Sequence, residues 1–270
     1  MSKFIFLDID GTLLSYNAGI PASTKEALYL AKQNGHKLFI ATGRPKSEIS
    51  STITEMGFDG YIYSAGAQVE ADDKLIHKQK MDPILIDELV TFMTKNNIGF
   101  ILEGHRYAYC DPDTKAFFCE MMEDQNLGMD KNNFLLIDDY LLENTEIEKI
   151  SIFTRDLDHF TELQDYINNQ PDTVLLIHDG HNDGLFHGEV LIKGITKATG
   201  INHLLTHYSK SIKDTISFGD SVNDMEMITA THLGISMGNG SETLKKIADD
   251  VTDTVDNDGI YKAFAKYNLI

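Results

Sequence analysis

Four short stretches of the chain carry oxygen and nitrogen donors at spacings suited to phosphate chemistry. The first is Asp8-Ile9-Asp10-Gly11-Thr12, which directly follows an apolar run. Residues two apart in an extended chain point the same way, so both carboxylates can face one site. Two carboxylates that close repel each other, and a divalent cation beside them is one remedy. Asp-Gly is also an ordinary turn signal and recurs at Asp59, Asp179, Asp183 and Asp258. Asp8 differs in its position, at the end of what reads as the first strand. The second stretch is Ala41-Thr42-Gly43-Arg44, where a hydroxyl, a glycine amide and a following helix N-terminus would clamp phosphate. Thr42 could also serve simply as a helix cap. The third is Lys193 with Gly194, read as opening a helix. A lysine there opposes the helix dipole, so an anionic ligand explains it better than helix stability does, with a solvated surface lysine as the alternative. The fourth is Gly219-Asp220-Ser221-Val222-Asn223-Asp224. Asp220 offers a further hard oxygen ligand, Asp224 lies one helical turn on, and Asn223 can contact phosphate oxygens without adding charge.

These residues need a scaffold that brings distant stretches together. The chain opens with a strand over Lys3 to Ile9, then a helix from about Pro21 to Asn34 stopped by Gly35. A strand at Lys37 to Ala41, a helix to about Met56, a strand at Tyr61 to Ser64 and a hairpin around Asp72 and Asp73 follow. Strands alternating with helices predict a parallel sheet covered on both faces. From Pro83 the rhythm changes, with consecutive strands (Phe100 to Glu103, Tyr107 to Cys110) among grouped helices, the pattern of an α+β module. Alternation returns near Lys193, with a helix to about His207 and a strand at Thr215 to Phe218. The expected architecture is α/β: a Rossmann-like core of residues 1–82 and 188–270, interrupted by an inserted α+β cap of residues 83–187. In such a core the candidate residues fall at the carboxyl ends of separate strands, where open α/β sheets bind ligands.

Composition narrows the function classes. Hydrophobic residues make up 42 % of the 270, enough for a sizeable core. The formal net charge is −19, from 42 acidic and 23 basic residues, which argues against nucleic acid as a partner. It also means that a phosphorylated substrate needs a cation at the reacting site. The two cysteines, Cys110 and Cys119, lack metal-type spacing. No apolar run reaches membrane-spanning length and the N-terminus lacks signal-peptide character, so no membrane association and a cytoplasmic location are expected. No Walker-type GxxxxGK[ST] loop occurs.

The ordered set Asp8-x-Asp10-Gly-Thr, Thr42-Gly43-Arg44, Lys193 and Gly219-Asp220-x-x-Asn223-Asp224 resembles the haloacid dehalogenase-like superfamily, and within it the Cof-type phosphatases. Gly234 to Asn239 and Asn257-Asp258-Gly259-Ile260 are similar to that subgroup too. One departure is Ala65-Gly66, where such proteins often carry Asn-Gly. The resemblance implies a Mg2+-dependent hydrolase of small phosphorylated metabolites, sugar phosphates first among them, working through an aspartyl-phosphate. By position, Asp8 would be the nucleophile and Asp10 the general acid/base. Asp8, the Asp10 backbone carbonyl and Asp220 would hold the metal with Asp224 in support. Thr42, Gly43, Arg44, Lys193 and Asn223 would bind phosphate. A phosphomutase and a non-catalytic phosphate sensor are the alternatives. In the cap, Glu103, His105 and Arg106 are candidates for substrate selection. The segment from His178 to Asp183 partly resembles a calcium loop, but Val190 stands where the bidentate glutamate belongs, and a polar turn is the better reading.

Overall fold

The computed structural model describes residues 2–16, 18–124, 130–143, 146–177 and 184–270. The chain builds two sheets. The first half of the larger one comprises β1 (Phe4–Leu7), helix α1 (Ala22–Gln33), β2 (Lys37–Ala41), the short α2 (Ser51–Thr54), β3 (Gly60–Tyr63), β4 (Gln68–Ala71) and β5 (Lys74–Lys78). The smaller unit comprises α3 (Pro83–Lys95), β6 (Gly99–Gly104), β7 (Ala108–Cys110), α4 (Pro112–Asp124), β8 (Phe134–Leu136), α5 (Ile137–Glu143), β9 (Ile147–Thr154), α6 (Leu157–Asn168), β10 (Thr173–Ile177) and β11 (Phe186–Ile192). The chain then returns through α7 (Lys197–His207), β12 (Thr215–Gly219), α8 (Met225–Ala230), β13 (Leu233–Ser236), α9 (Glu242–Ile247), β14 (Asp250–Val251) and α10 (Gly259–Lys266).

The larger sheet runs β14-β13-β12-β1-β2-β3-β4-β5. Its strands are parallel through β3, and the β4–β5 hairpin adds two antiparallel ones. β1 lies in the middle, and all four of its residues, Phe-Ile-Phe-Leu, are buried, the unbroken apolar run that a strand covered on both faces requires. Ile5 and Leu7 enter one core with α1 and α10, while Phe4 and Phe6 enter another with α7. Asp72 and Asp73, both at positive φ, close the hairpin expected around them.

The smaller sheet runs β10-β11-β9-β6-β7-β8 and is antiparallel except for β7–β8. α3 and α6 cover one face, burying Leu89, Met93, Phe160 and Leu163 against Ile150 and Ile152. β11 pairs with β9 and β10, so residues 188–192, read above as core, belong to this second sheet. β11 is apolar at Val190, Leu191 and Ile192 because it is buried between two neighbours. The tentative loop from His178 to Asp183 lies outside the described residues. Among the described residues no helix is long and apolar enough to cross a membrane.

Candidate active site

Asp8 follows the last residue of β1 and is 4 % exposed, with its backbone N–H bonded to the carbonyl of Phe218 on β12 at 3.1 Å. The neighbouring strand delivers Asp220 and Asp224 through the turn beyond Gly219. Asp224 is fully buried, and its Oδ2 accepts from the backbone N–H groups of Asp220 (3.0 Å) and Ser221 (3.1 Å). That leaves Oδ1 facing Asp8. One oxygen from each of Asp8, Asp220 and Asp224 falls within 4.8 Å of the other two.

Two glycines make this convergence possible. Gly11 sits at φ +74°, and a β-carbon there would stand 2.3 Å from Asp220 Oδ2. At Gly219 a β-carbon would meet the Asp224 carboxyl carbon at 2.4 Å. Any side chain at either position would push a carboxylate out of the group. The loop after β1 is further tied by Asn239, whose Nδ2 donates to the Gly11 carbonyl at 2.7 Å while its Oδ1 accepts from the Val255 N–H.

The cation that balances these acids is Lys197. Its ammonium donates to Asp8 Oδ1 at 2.7 Å, to Asp224 Oδ1 at 2.6 Å and to Asn223 Oδ1 at 3.2 Å, and its side chain has no exposure. Lys193 is exposed, and its backbone N–H bonds to the Asp172 carbonyl at the mouth of the second unit. The expectation that Lys193 joins the site is therefore corrected to Lys197. The physical argument survives, because a lysine does open the helix, but the helix begins four residues later than its sequence reading. The start signal is the capping box: the Thr196 hydroxyl accepts from the Thr199 N–H, and the Thr199 hydroxyl accepts from the Thr196 N–H. A Thr-x-x-Thr spacing in the sequence was the available clue.

Asp10 and Arg44 also differ from expectation. β1 ends at Leu7, so Asp10 lies beyond the extended segment and the alternation argument does not reach it. Its carboxylate is gripped by Arg44, with Nε to Oδ2 at 2.8 Å and Nη2 to Oδ1 at 2.5 Å. Its carboxylate is not one of the three whose oxygens lie within 4.8 Å of one another. Arg44 also donates to the Glu48 carbonyl at 3.3 Å, so its guanidinium orients an acid rather than standing open to phosphate. Thr42 is buried and its hydroxyl accepts from the Arg44 N–H at 3.1 Å. No α-helix starts there: Pro45 holds the chain extended and a 3-10 turn (Lys46–Glu48) follows. Gly43 faces Asn223, whose Nδ2 would lie 3.3 Å from a β-carbon at that position.

The electrostatics of the acid group favour a cation beside it. Burial, opposed by the Lys197 ammonium and reinforced by Asp224 and Asp10, pushes Asp8 up to about 7. Burial, with Asp8 and Asp224 adding repulsion, pushes Asp220 up to about 9. One ammonium cannot satisfy two buried carboxylates and a third, half-buried one beside them, and a hard divalent cation with oxygen ligands fits the donor set. In the second unit, His105 Nδ1 lies 3.2 Å from Lys78 Nζ, Arg106 lies over the Tyr107 ring, and Glu103 joins a buried network described below.

Comparisons with known proteins bear on the chain as a whole. A family profile described as haloacid dehalogenase-like hydrolase matches residues 5–264. The chain is 31 % identical over 271 residues to a Bacillus subtilis (strain 168) protein named "Putative phosphatase YkrA", covering 100 % of this chain and 99 % of that one. A solved structure from work on a trigonal-bipyramidal intermediate in a phosphoryl-transfer superfamily superposes with a TM-score of 0.85 at 29 % identity, covering both chains fully. The structure of the HAD subclass IIB sugar phosphatase BT4131 does so with a TM-score of 0.83, also at 29 % identity and full coverage of both chains.

Proposed function

The chain belongs to the haloacid dehalogenase-like hydrolases, and from that premise we propose that it hydrolyses small phosphomonoesters with Mg2+ through an aspartyl-phosphate on Asp8. It is a phosphoric monoester hydrolase, the activity carried by its named relatives. The observation that supports this chemistry best is the buried contact of Lys197 with both Asp8 and Asp224. A carboxylate can attack a phosphate dianion only where fixed positive charge offsets the repulsion between them.

Asp8, Asp220 and the backbone carbonyl of Asp10 would hold the metal, with Asp224 supporting them; bound there, Mg2+ supplies charge neutralisation for the phosphoryl oxygens. The remaining work falls to the chain's own groups. Asp8 presents Oδ2 to phosphorus while Lys197 holds Oδ1, so the attacking oxygen is oriented in advance. Lys197, the Thr42 hydroxyl and the amides around Gly43 stabilise charge on the equatorial oxygens. Asp10, steered by Arg44, gives its proton to the leaving alkoxide. It takes a proton from the water that later opens the aspartyl-phosphate. The cap covers the first step and admits water for the second.

Asp8→Asn is expected to abolish phosphate release from phenyl phosphate, and chelation of divalent cations to silence the wild type until Mg2+ is restored. Substantial turnover by Asp8→Asn would sink the nucleophile assignment. A phosphomutase would share the first step. Isomerisation of a hexose 1-phosphate without phosphate release would favour it.

A further inference from the structure

The second sheet turns one face towards the catalytic loops, and that face is polar. Along β9, Ile150 and Ile152 point into the helix-covered core, so alternation sends Lys149 and Ser151 to the other side. Glu103 on β6 stands opposite Lys149, and Glu189 on β11 stands opposite Ser151. Lys149 pairs with Glu103 Oε2 at 3.1 Å and with Glu189 Oε1, and the Ser151 hydroxyl donates to Glu103 Oε1. Glu103, Lys149 and Glu189 are 3 %, 4 % and 7 % exposed.

This cluster adjoins the phosphate end of the site. Glu189 Oε1 lies 3.8 Å from where a β-carbon on Gly43 would stand, and the amide of Asn223, which contacts Lys197, lies 3.3 Å from the same point. From the core side Glu48, 5 % exposed, brings a further carboxyl into the electrostatic reach of Glu103, Lys149 and Glu189. Among the described residues its Oε1 has no hydrogen-bond partner. The Ser47 hydroxyl fastens this turn to the Gly104 carbonyl at the end of β6, at 2.8 Å.

Three carboxylates thus surround one ammonium beside Gly43, and the phosphoryl transfer proposed above uses none of them. A buried carboxylate oxygen without a donor costs stability, and a fold retains such a group where a ligand completes it. Lys149, the ammonium within the cluster, is already covered by two carboxylates. Resting on the phosphatase reading above, we infer that Glu48, Glu103, Lys149 and Glu189 select the leaving group. The face takes an alcohol rich in hydrogen-bond donors, such as a polyol or amino sugar, and rejects one that carries a second anionic group.

The test compares kcat/KM for glucitol 6-phosphate, glucitol 1,6-bisphosphate and phenyl phosphate with Mg2+ present. Wild type is expected to favour the monophosphate over the bisphosphate by about a hundredfold, about tenfold from the repulsion of each of two partly screened carboxylates. In Glu189→Gln and Glu103→Gln one negative charge is gone, and the preference should shrink about tenfold. Because the two substrates are compared on the same preparation, the ratio is independent of how much of a variant folds. A wild-type ratio near one, or a ratio unchanged in both variants while phenyl phosphate is still hydrolysed, overturns this inference and leaves the phosphatase reading standing. Release from none of the three substrates overturns the phosphatase reading, and this inference with it.

Discussion

Replacing Lys197 with methionine keeps the length of the side chain and removes its charge. The wild-type ammonium makes contacts of 2.7 Å and 2.6 Å with Asp8 and Asp224, which are 4 % and 0 % exposed. Without it, two buried carboxylates face each other beside Asp220. Removing one partner of a buried ion pair costs about 3–5 kcal/mol, and urea unfolding of the variant should show a loss of that size. Losing a fixed donor for transition-state charge costs about 100- to 1,000-fold in kcat, read as phosphate release per folded molecule at saturating Mg2+. Lys193→Met is the matched control. That residue is exposed and apart from the carboxylates, so its variant should stay within about twofold of wild type, the usual range for surface changes. Wild-type kinetics in Lys197→Met, or equal damage in Lys193→Met, would refute the assignment of the lysine.

Gly11→Ala places a β-carbon 2.3 Å from Asp220 Oδ2 in left-handed backbone, so Asp220 must move. The Mg2+ concentration for half-maximal activity should rise, and an unchanged titration would remove Asp220 from the metal's ligands. Arg44→Lys loses the two-pronged grip on Asp10. It should slow substrates with poor leaving groups by about tenfold while sparing phenyl phosphate, since only the former need a proton donor; equal slowing of both would count against that role. Glu148 couples the two units by accepting from the Ser64 hydroxyl at 2.6 Å. Burial, eased by Ser64 and Lys78 and aggravated by Glu103 and Glu146, raises its carboxyl from its ordinary 4.5 to about 7. Its contribution is therefore complete below pH 4.5 and fades as pH rises through 7, a change of about 3 kcal/mol. Glu148→Gln should flatten that part of the stability–pH curve, and a curve superimposable on wild type would contradict it.

What could be read in advance followed from local signals. The all-apolar β1 ending in a carboxylate, the strand–helix alternation and the Asp72-Asp73 hairpin each announce themselves within a few residues. Lys197 did not, because Lys193 and Lys197 are four apart and either could open α7 (Lys197–His207). Only the Thr196–Thr199 cap distinguishes them. The Arg44–Asp10 pair was hidden for a different reason. It depends on where β1 stops, and strand ends are set by hydrogen-bonding neighbours rather than by the residues themselves. The cluster of Glu103, Lys149 and Glu189 depends on the register of three antiparallel strands, and a slip of one residue would turn each of them to the opposite face. Glu103 was named from sequence as a residue of interest, but its partners were not.

The central place of β1 has a consequence for how the protein comes into being. Its neighbours are β2, close behind it in the chain, and β12, which is synthesised only after the entire inserted unit. Asp8 and Lys197 are 189 residues apart. A nascent chain that has passed β2 therefore carries a fully apolar strand with one bare edge, open to mispairing, throughout synthesis of the second unit. Asp8 is made well before its lysine and its companion acids, which follow the inserted unit. A chain that stops before β12 lacks Asp220 and Asp224, so the acid group around Asp8 cannot form in it.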